Sequence, residues 1–169
     1  MCPDPAPAPG RAAAPGSGPG PFRSALTYVS ERMHVAAVYC SDGRIGEHFD
    51  DFLQNGLGLP RYDRVALPGG PACLAGYAEA RVAQDGAVDE LRFLITAHEL
   101  TRVVLIQHEG CAFYQQRLAV PAVHMEKLQR ADLVRAAYFI RHTTSLERID
   151  AYFARKADGA ILFEPVALE

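Results

Sequence analysis

Residues 101–107 constrain the fold more than any other stretch of this chain. They read Thr-Arg-Val-Val-Leu-Ile-Gln, a short β-branched run that is apolar almost throughout. Such a run predicts a strand buried on both faces, which is the pattern of a parallel sheet covered by helices on each side. Residues 33–39 form a second apolar run. Strands are also expected over 61–67 and 160–163, with helical patterns between them. The order strand, helix, strand, helix, strand, helices, strand predicts an α/β fold with a mostly parallel central sheet of four to five strands flanked by helices.

The connecting segments carry weaker signals. A short helix is expected over 24–32, and another over 47–54 closed by Asn55-Gly56. Pro68-Gly69-Gly70-Pro71 marks a turn where the second strand stops. Its adjacent glycines let the backbone approach a ligand closely, so Gly69 and Gly70 are candidate substrate-pocket residues. Two helical stretches, 72–84 and 87–98, are expected to break near Asp85-Gly86. Helices are further expected over 111–117 and 121–142. Thr144-Ser145-Leu146-Glu147 fits a capping box and predicts a last helix running to Lys156.

Residues 1–22 hold seven of the twelve prolines and are rich in Ala and Gly, so they are expected to be a disordered tail. The remainder, 23–169, is expected to be a single domain. A net charge of −3 with scattered basic residues points to neither a nucleic-acid nor a membrane surface. No run is long enough for a membrane span, and the start lacks the apolar core of a secretory signal. A cytoplasmic location is expected, where four cysteines are metal ligands, reactive thiols or core residues rather than disulfides. Cys2 falls in the tail, and Cys73 sits in an apolar setting that suits a core residue. His34 and His48 read first as ordinary surface histidines, although His48 lies close in sequence to the motif that follows.

Two apolar runs end on chemistry-bearing motifs: Cys40-Ser41-Asp42-Gly43-Arg44, or C-x-D-x-R, and His108-Glu109-Gly110-Cys111, or H-x-x-C. In a chain of this composition about 0.1 chance occurrences of the second and about 0.02 of the first are expected. In an open parallel sheet, ligands collect beyond the carboxyl ends of the strands, so two such ends can supply one site. Cys40, His108 and Cys111 are then a plausible set of three zinc ligands with a fourth position open. The plain alternative is two buried thiols and a surface ion pair. Asp42 and Arg44, alternate residues on an extended chain, can lie on one side, where the guanidinium would keep the carboxylate ionised and aimed. A carboxylate so held can orient a water whose pKa a metal lowers towards ~7.

These residues resemble the β-class carbonic anhydrases. The resemblance rests on residues 40–44, the Gly69-Gly70 turn and residues 108–111, and spans about 33–164. It implies a β-carbonic-anhydrase-like fold and a zinc lyase that interconverts carbon dioxide and bicarbonate through zinc-bound hydroxide. By position, Cys40, His108 and Cys111 match the zinc (Zn2+) ligands, and Asp42 and Arg44 match the catalytic dyad. A homodimer or homotetramer is implied as well. The chain departs from the family pattern at Ala112, where a Gly is usual. It also departs at the turn 67–70, and in a longer separation between the two motifs. Those departures leave two other functions open. One is hydrolysis of carbonyl sulfide or carbon disulfide on the same site. The other is a non-catalytic zinc-containing or bicarbonate-sensing module.

Overall fold

The computed structural model describes residues 21–168. Its larger compact unit begins at Arg32. Most of the expected tail, including Cys2, lies outside the described residues. The helix expected over 24–32 is not formed; those residues carry no regular secondary structure. Phe22, Leu26 and Tyr28 are exposed there, so no apolar face is buried to stabilise a helix this short.

Five strands form one sheet in the order β2-β1-β3-β4-β5. They are β1 (Val35–Cys40), β2 (Asp63–Leu67), β3 (Arg102–His108), β4 (Arg148–Ala157) and β5 (Ala160–Pro165). The first four pair in parallel, and β5 returns antiparallel along the edge of β4. Every residue of β1 is buried, as is all of β3 beyond Arg102. This is why both strands read as unbroken apolar runs rather than as alternation.

The two faces of the sheet carry separate cores. On one, Ala36, Val38, Val103 and Leu105 meet α2 (Arg81–Ala97) and α3 (Ala122–Thr143) through Leu91, Leu94, Leu133 and Ala136. On the other, Val35, Ala37, Val104 and Ile106 pack with Phe49 and Leu53. Those two residues come from α1 (Gly46–Asp51) and the π-helical turn that continues it (Phe52–Gly56). Phe52 of that turn stacks on Phe163 of β5, with ring centroids 4.1 Å apart.

Three expectations are corrected. The segment 72–84 is not one helix but two 3-10 turns, Gly70–Leu74 and Ala78–Ala80, followed by the start of α2. Gly76 at φ +90° separates the turns. There is no break at Asp85-Gly86, because Gly86 sits on the exposed side of α2 and the helix runs through it. The last expected helix is strand β4. Thr144 ends α3 instead of starting a helix, its hydroxyl donating to the Ile140 carbonyl and accepting from the Leu146 amide. Ile149, Ala151 and Phe153 are then buried at a period of two, and β4 pairs with strands on both sides. That pairing outweighs a local capping signal.

Candidate metal centre

Cys40 is the last residue of β1 and His108 the last of β3, and these strands are hydrogen-bonded neighbours. The site therefore lies beyond the carboxyl ends of the two central strands. Strand order reverses there, with β2 on one side of β1 and β3 on the other. After His108, Gly110 adopts φ +70° and folds the chain back, which brings Cys111 to the same point. The Sγ atoms of Cys40 and Cys111 lie 3.9 Å apart, and these two sulfurs and a His108 ring nitrogen all fall within 4.8 Å of one another. Two sulfurs on one tetrahedral zinc, at about 2.3 Å each, would stand about 3.8 Å apart.

The buried imidazole is prepared for a metal. His108 Nδ1–H donates to the Glu109 carbonyl at 3.0 Å, which fixes the tautomer and leaves Nε2 with a free lone pair. Nε2 is buried and has no hydrogen-bond partner. A buried polar atom without a partner is costly, and a metal is a group that would satisfy it. The two thiols differ in acidity. A hydrogen bond from Cys111, opposed by burial, pulls the Cys40 pKa down. The same contact with Cys40, together with burial, pushes Cys111 up. Backbone hydrogen bonding from Gly69 and Asp42 adds to the lowering at Cys40, and that from Phe113 and Tyr114 opposes the rise at Cys111. The donor set of two thiols and one imidazole thus fits zinc.

Asp42 and Arg44 meet through a turn and not along an extended chain: the Asp42 carbonyl accepts from the Ile45 amide. Both carboxylate oxygens of Asp42 are engaged. The Arg44 Nε donates at 3.0 and 3.2 Å, Nη2 at 2.6 Å, and the Arg44 amide at 3.0 Å. The guanidinium holds the Asp42 pKa well below the usual carboxylate range, with the Arg44 amide adding to it against partial burial. Asp42, Arg44, Ile45, His48, His108 and Lys156 all border one cavity of about 100 Å³. His48 is thus on the site wall.

Gly69 and Gly70 stand beside the ligands. Gly70 at φ +50° lies so close to β1 that a Cβ there would meet the Tyr39 carbonyl carbon at 2.6 Å and the Cys40 nitrogen at 2.7 Å. Gly69, at φ +80°, leaves room for the Phe113 ring. Cys73 is fully buried away from the ligand cluster, and burial pushes its thiol up to about 12. His34 and His98 lie elsewhere, bonded to backbone and to Asp63.

Sequence reasoning missed a set of buried polar residues around the centre. Gln107 donates to the Gly69 carbonyl and to Tyr114 Oη. Gln129 of α3 donates to the His108 carbonyl at 2.8 Å. Asp132, one turn further along α3, accepts from Tyr77 and Tyr114. The available signal was the placement of polar residues on apolar stripes: Gln107 at the end of β3, and Gln129 and Asp132 among Met125, Leu133 and Ala136.

Comparison with solved structures places the fold. A β-carbonic anhydrase, isoform I, from Trichomonas vaginalis matches with a TM-score of 0.54 at 14% identity, over 82% of this chain and 86% of that one. A carbonic anhydrase from Streptococcus mutans matches with a TM-score of 0.51 at 16% identity, over 86% and 88%. The fold is thus that of the β-carbonic anhydrases. A family model described as "Putative carbonic anhydrase" matches residues 30–158. The chain belongs to this β-carbonic anhydrase family and is a carbonic anhydrase-like enzyme. No curated protein matches the sequence.

Proposed function

We propose that this chain is a zinc-dependent carbonic anhydrase that reversibly hydrates carbon dioxide to bicarbonate. One observation carries the reading. Two buried thiols and an unpartnered imidazole nitrogen converge beside a carboxylate clamped by arginine, at the wall of a cavity of about 100 Å³. Cys40 Sγ, Cys111 Sγ and His108 Nε2 would hold the metal. Zinc bound there supplies a Lewis acid that brings the pKa of a water towards ~7.

The chain's own groups do the rest. Asp42, kept ionised by Arg44, accepts a hydrogen bond from the attacking water and aims its lone pair. Because both Asp42 oxygens are tied to Arg44, the carboxylate has one orientation, and little reorganisation is needed when charge develops. A cavity of about 100 Å³ has room for a small linear substrate beside Asp42 and His108. The proton released leaves through the open side, where His48 stands exposed. A homodimer or homotetramer in the cytoplasm belongs to the same proposal.

Stopped-flow carbon dioxide hydration, run with zinc analysis on the native chain and on Asp42→Ala, tests the reading. The native chain should bind one zinc and turn over. Asp42→Ala should keep the zinc and lose roughly 10²-fold or more in rate. A zinc-loaded native chain inactive at pH 7 to 9 would overturn the proposal. Cleavage of carbonyl sulfide by that same inactive preparation would redirect it to the sulfur-containing substrates.

A further inference from the structure

Three buried polar side chains tie the segments that carry the ligands to one another, and the chemistry just described uses none of them. Gln107 precedes His108 at the end of β3 and is fully buried. Its Nε2 donates to the Gly69 carbonyl at 3.1 Å and to Tyr114 Oη at 3.0 Å. Tyr114 Oη donates in turn to Asp132 Oδ2 at 2.7 Å, and Asp132 has no exposed surface. Asp132 also accepts from Tyr77 Oη at 2.8 Å and from Arg135 Nη1 at 2.7 Å.

Gln107 thereby bridges the two segments that flank the sulfurs. Gly70 lies against the Tyr39 and Cys40 backbone, and Tyr114 belongs to the turn in which the Gln115 amide donates to the Cys111 carbonyl. Gly69 is at φ +80° and Gly70 at φ +50°, a left-handed pair that glycine adopts without strain, and the bond from Gln107 fixes the carbonyl between them. Gln107 pays for that tie with a buried Oε1 that has no partner. A core that needed only packing would place a leucine there and leave no orphaned oxygen.

We propose that Gln107, oriented by Tyr114 and Asp132, is a positioning residue for the two sulfurs: its one amide nitrogen ties the Gly69–Gly70 turn beside Cys40 to the turn that follows Cys111. Those two segments set where each sulfur stands, so loosening the tie between them weakens the metal site. The inference rests on zinc occupying the cluster of Cys40, His108 and Cys111. It does not need carbon dioxide to be the substrate.

Competition for zinc against a chromophoric chelator tests it, with the visible spectrum of the cobalt(II)-substituted protein as a second readout. Gln107→Leu and Tyr114→Phe should each weaken zinc binding by roughly 10- to 100-fold. Both should also shift the thiolate-to-cobalt charge-transfer band. Tyr77→Phe is the control. It also deletes one hydrogen bond to Asp132 but touches neither Gln107 nor a ligand segment, so it should lower the melting temperature and leave zinc affinity within about twofold. Native zinc affinity in Gln107→Leu would overturn the inference. So would a loss in Tyr77→Phe as large as that in Tyr114→Phe, because the network would then be general scaffolding. If Tyr114→Phe does not fold, Gln107→Leu decides, since it keeps the bond between Tyr114 and Asp132. A native chain that binds zinc without hydrating carbon dioxide would remove the proposed reaction and leave this inference standing.

Discussion

Replacing Gly70 by alanine should be among the most damaging single-methyl changes in this protein. The added Cβ would stand 2.6 Å from the Tyr39 carbonyl carbon, about 0.8 Å short of the 3.4 Å at which ordinary contact begins. The atoms in the way are backbone of β1, an interior strand of the sheet, and no side chain can swing aside. The turn must therefore retreat, drawing Gly69 and Gly70 away from the end of β1. The left-handed backbone at φ +50° costs a non-glycine residue about 1–2 kcal/mol, and overpacking adds about 1–3 kcal/mol. Together they predict a loss of roughly 2–5 kcal/mol, read as a fall in melting temperature of roughly 5–15 °C. Thermal unfolding of the metal-free protein measures it directly. Gly76→Ala is the internal standard: φ is +90° there but nothing lies within 4 Å, so strain acts alone. If Gly70→Ala costs no more than Gly76→Ala, the close approach to β1 carries no energetic weight and the argument fails.

Other outcomes can be checked with simpler measurements. His108→Ala should abolish stoichiometric zinc while leaving the far-UV circular dichroism spectrum of the sheet intact; zinc retained at native affinity would exclude Nε2 as a ligand. Cys73, with its thiol pushed up to about 12 by burial, should resist maleimide in the folded, zinc-loaded protein at pH 8 and react on unfolding. Asp42 has a folded-state pKa depressed below its unfolded value, so its contribution to stability is present above about pH 4 and fades only as pH falls through the depressed value. Carboxyl-carbon NMR should therefore find Asp42 still ionised at pH 3, and a normal titration there would show that Arg44 does not clamp it in solution.

The parts of the fold visible in the sequence are those where one constraint dominates. β1 and β3 are covered on both faces, and full burial leaves no alternation to misread. Both motifs could be placed at strand ends for that reason. The sheet order adds what the sequence lacked, which is that the two strands lie side by side. Where constraints compete, local reading failed. Thr144 and Glu147 have the spacing of a helix start, but the segment that follows pairs with β3, about 40 residues earlier in the chain, and with β5 across a hairpin, and the first of these lies outside any local sequence window. Asp42 and Arg44 were expected to align along an extended chain, yet a turn closed by the Ile45 amide brings them together. Gln129 and Asp132 went unnoticed because a polar residue on an amphipathic helix is ordinarily read as surface. Only the packing of α3 against the ligand segments shows that both are buried.

The pairing of Cys40 with Cys111 across 71 residues has a consequence for biosynthesis. Neither motif alone offers three donors, so no short peptide from this chain can assemble the centre. At 5–20 residues per second, Cys40 is made roughly 4–14 s before Cys111. Throughout that interval it lacks its partner sulfur, and β3 must still be made and seated beside β1 before the two meet. Metal capture is therefore a late event in the life of each nascent chain. The interval before it is when the protein is most open to oxidation and to mispairing with another chain's cysteine.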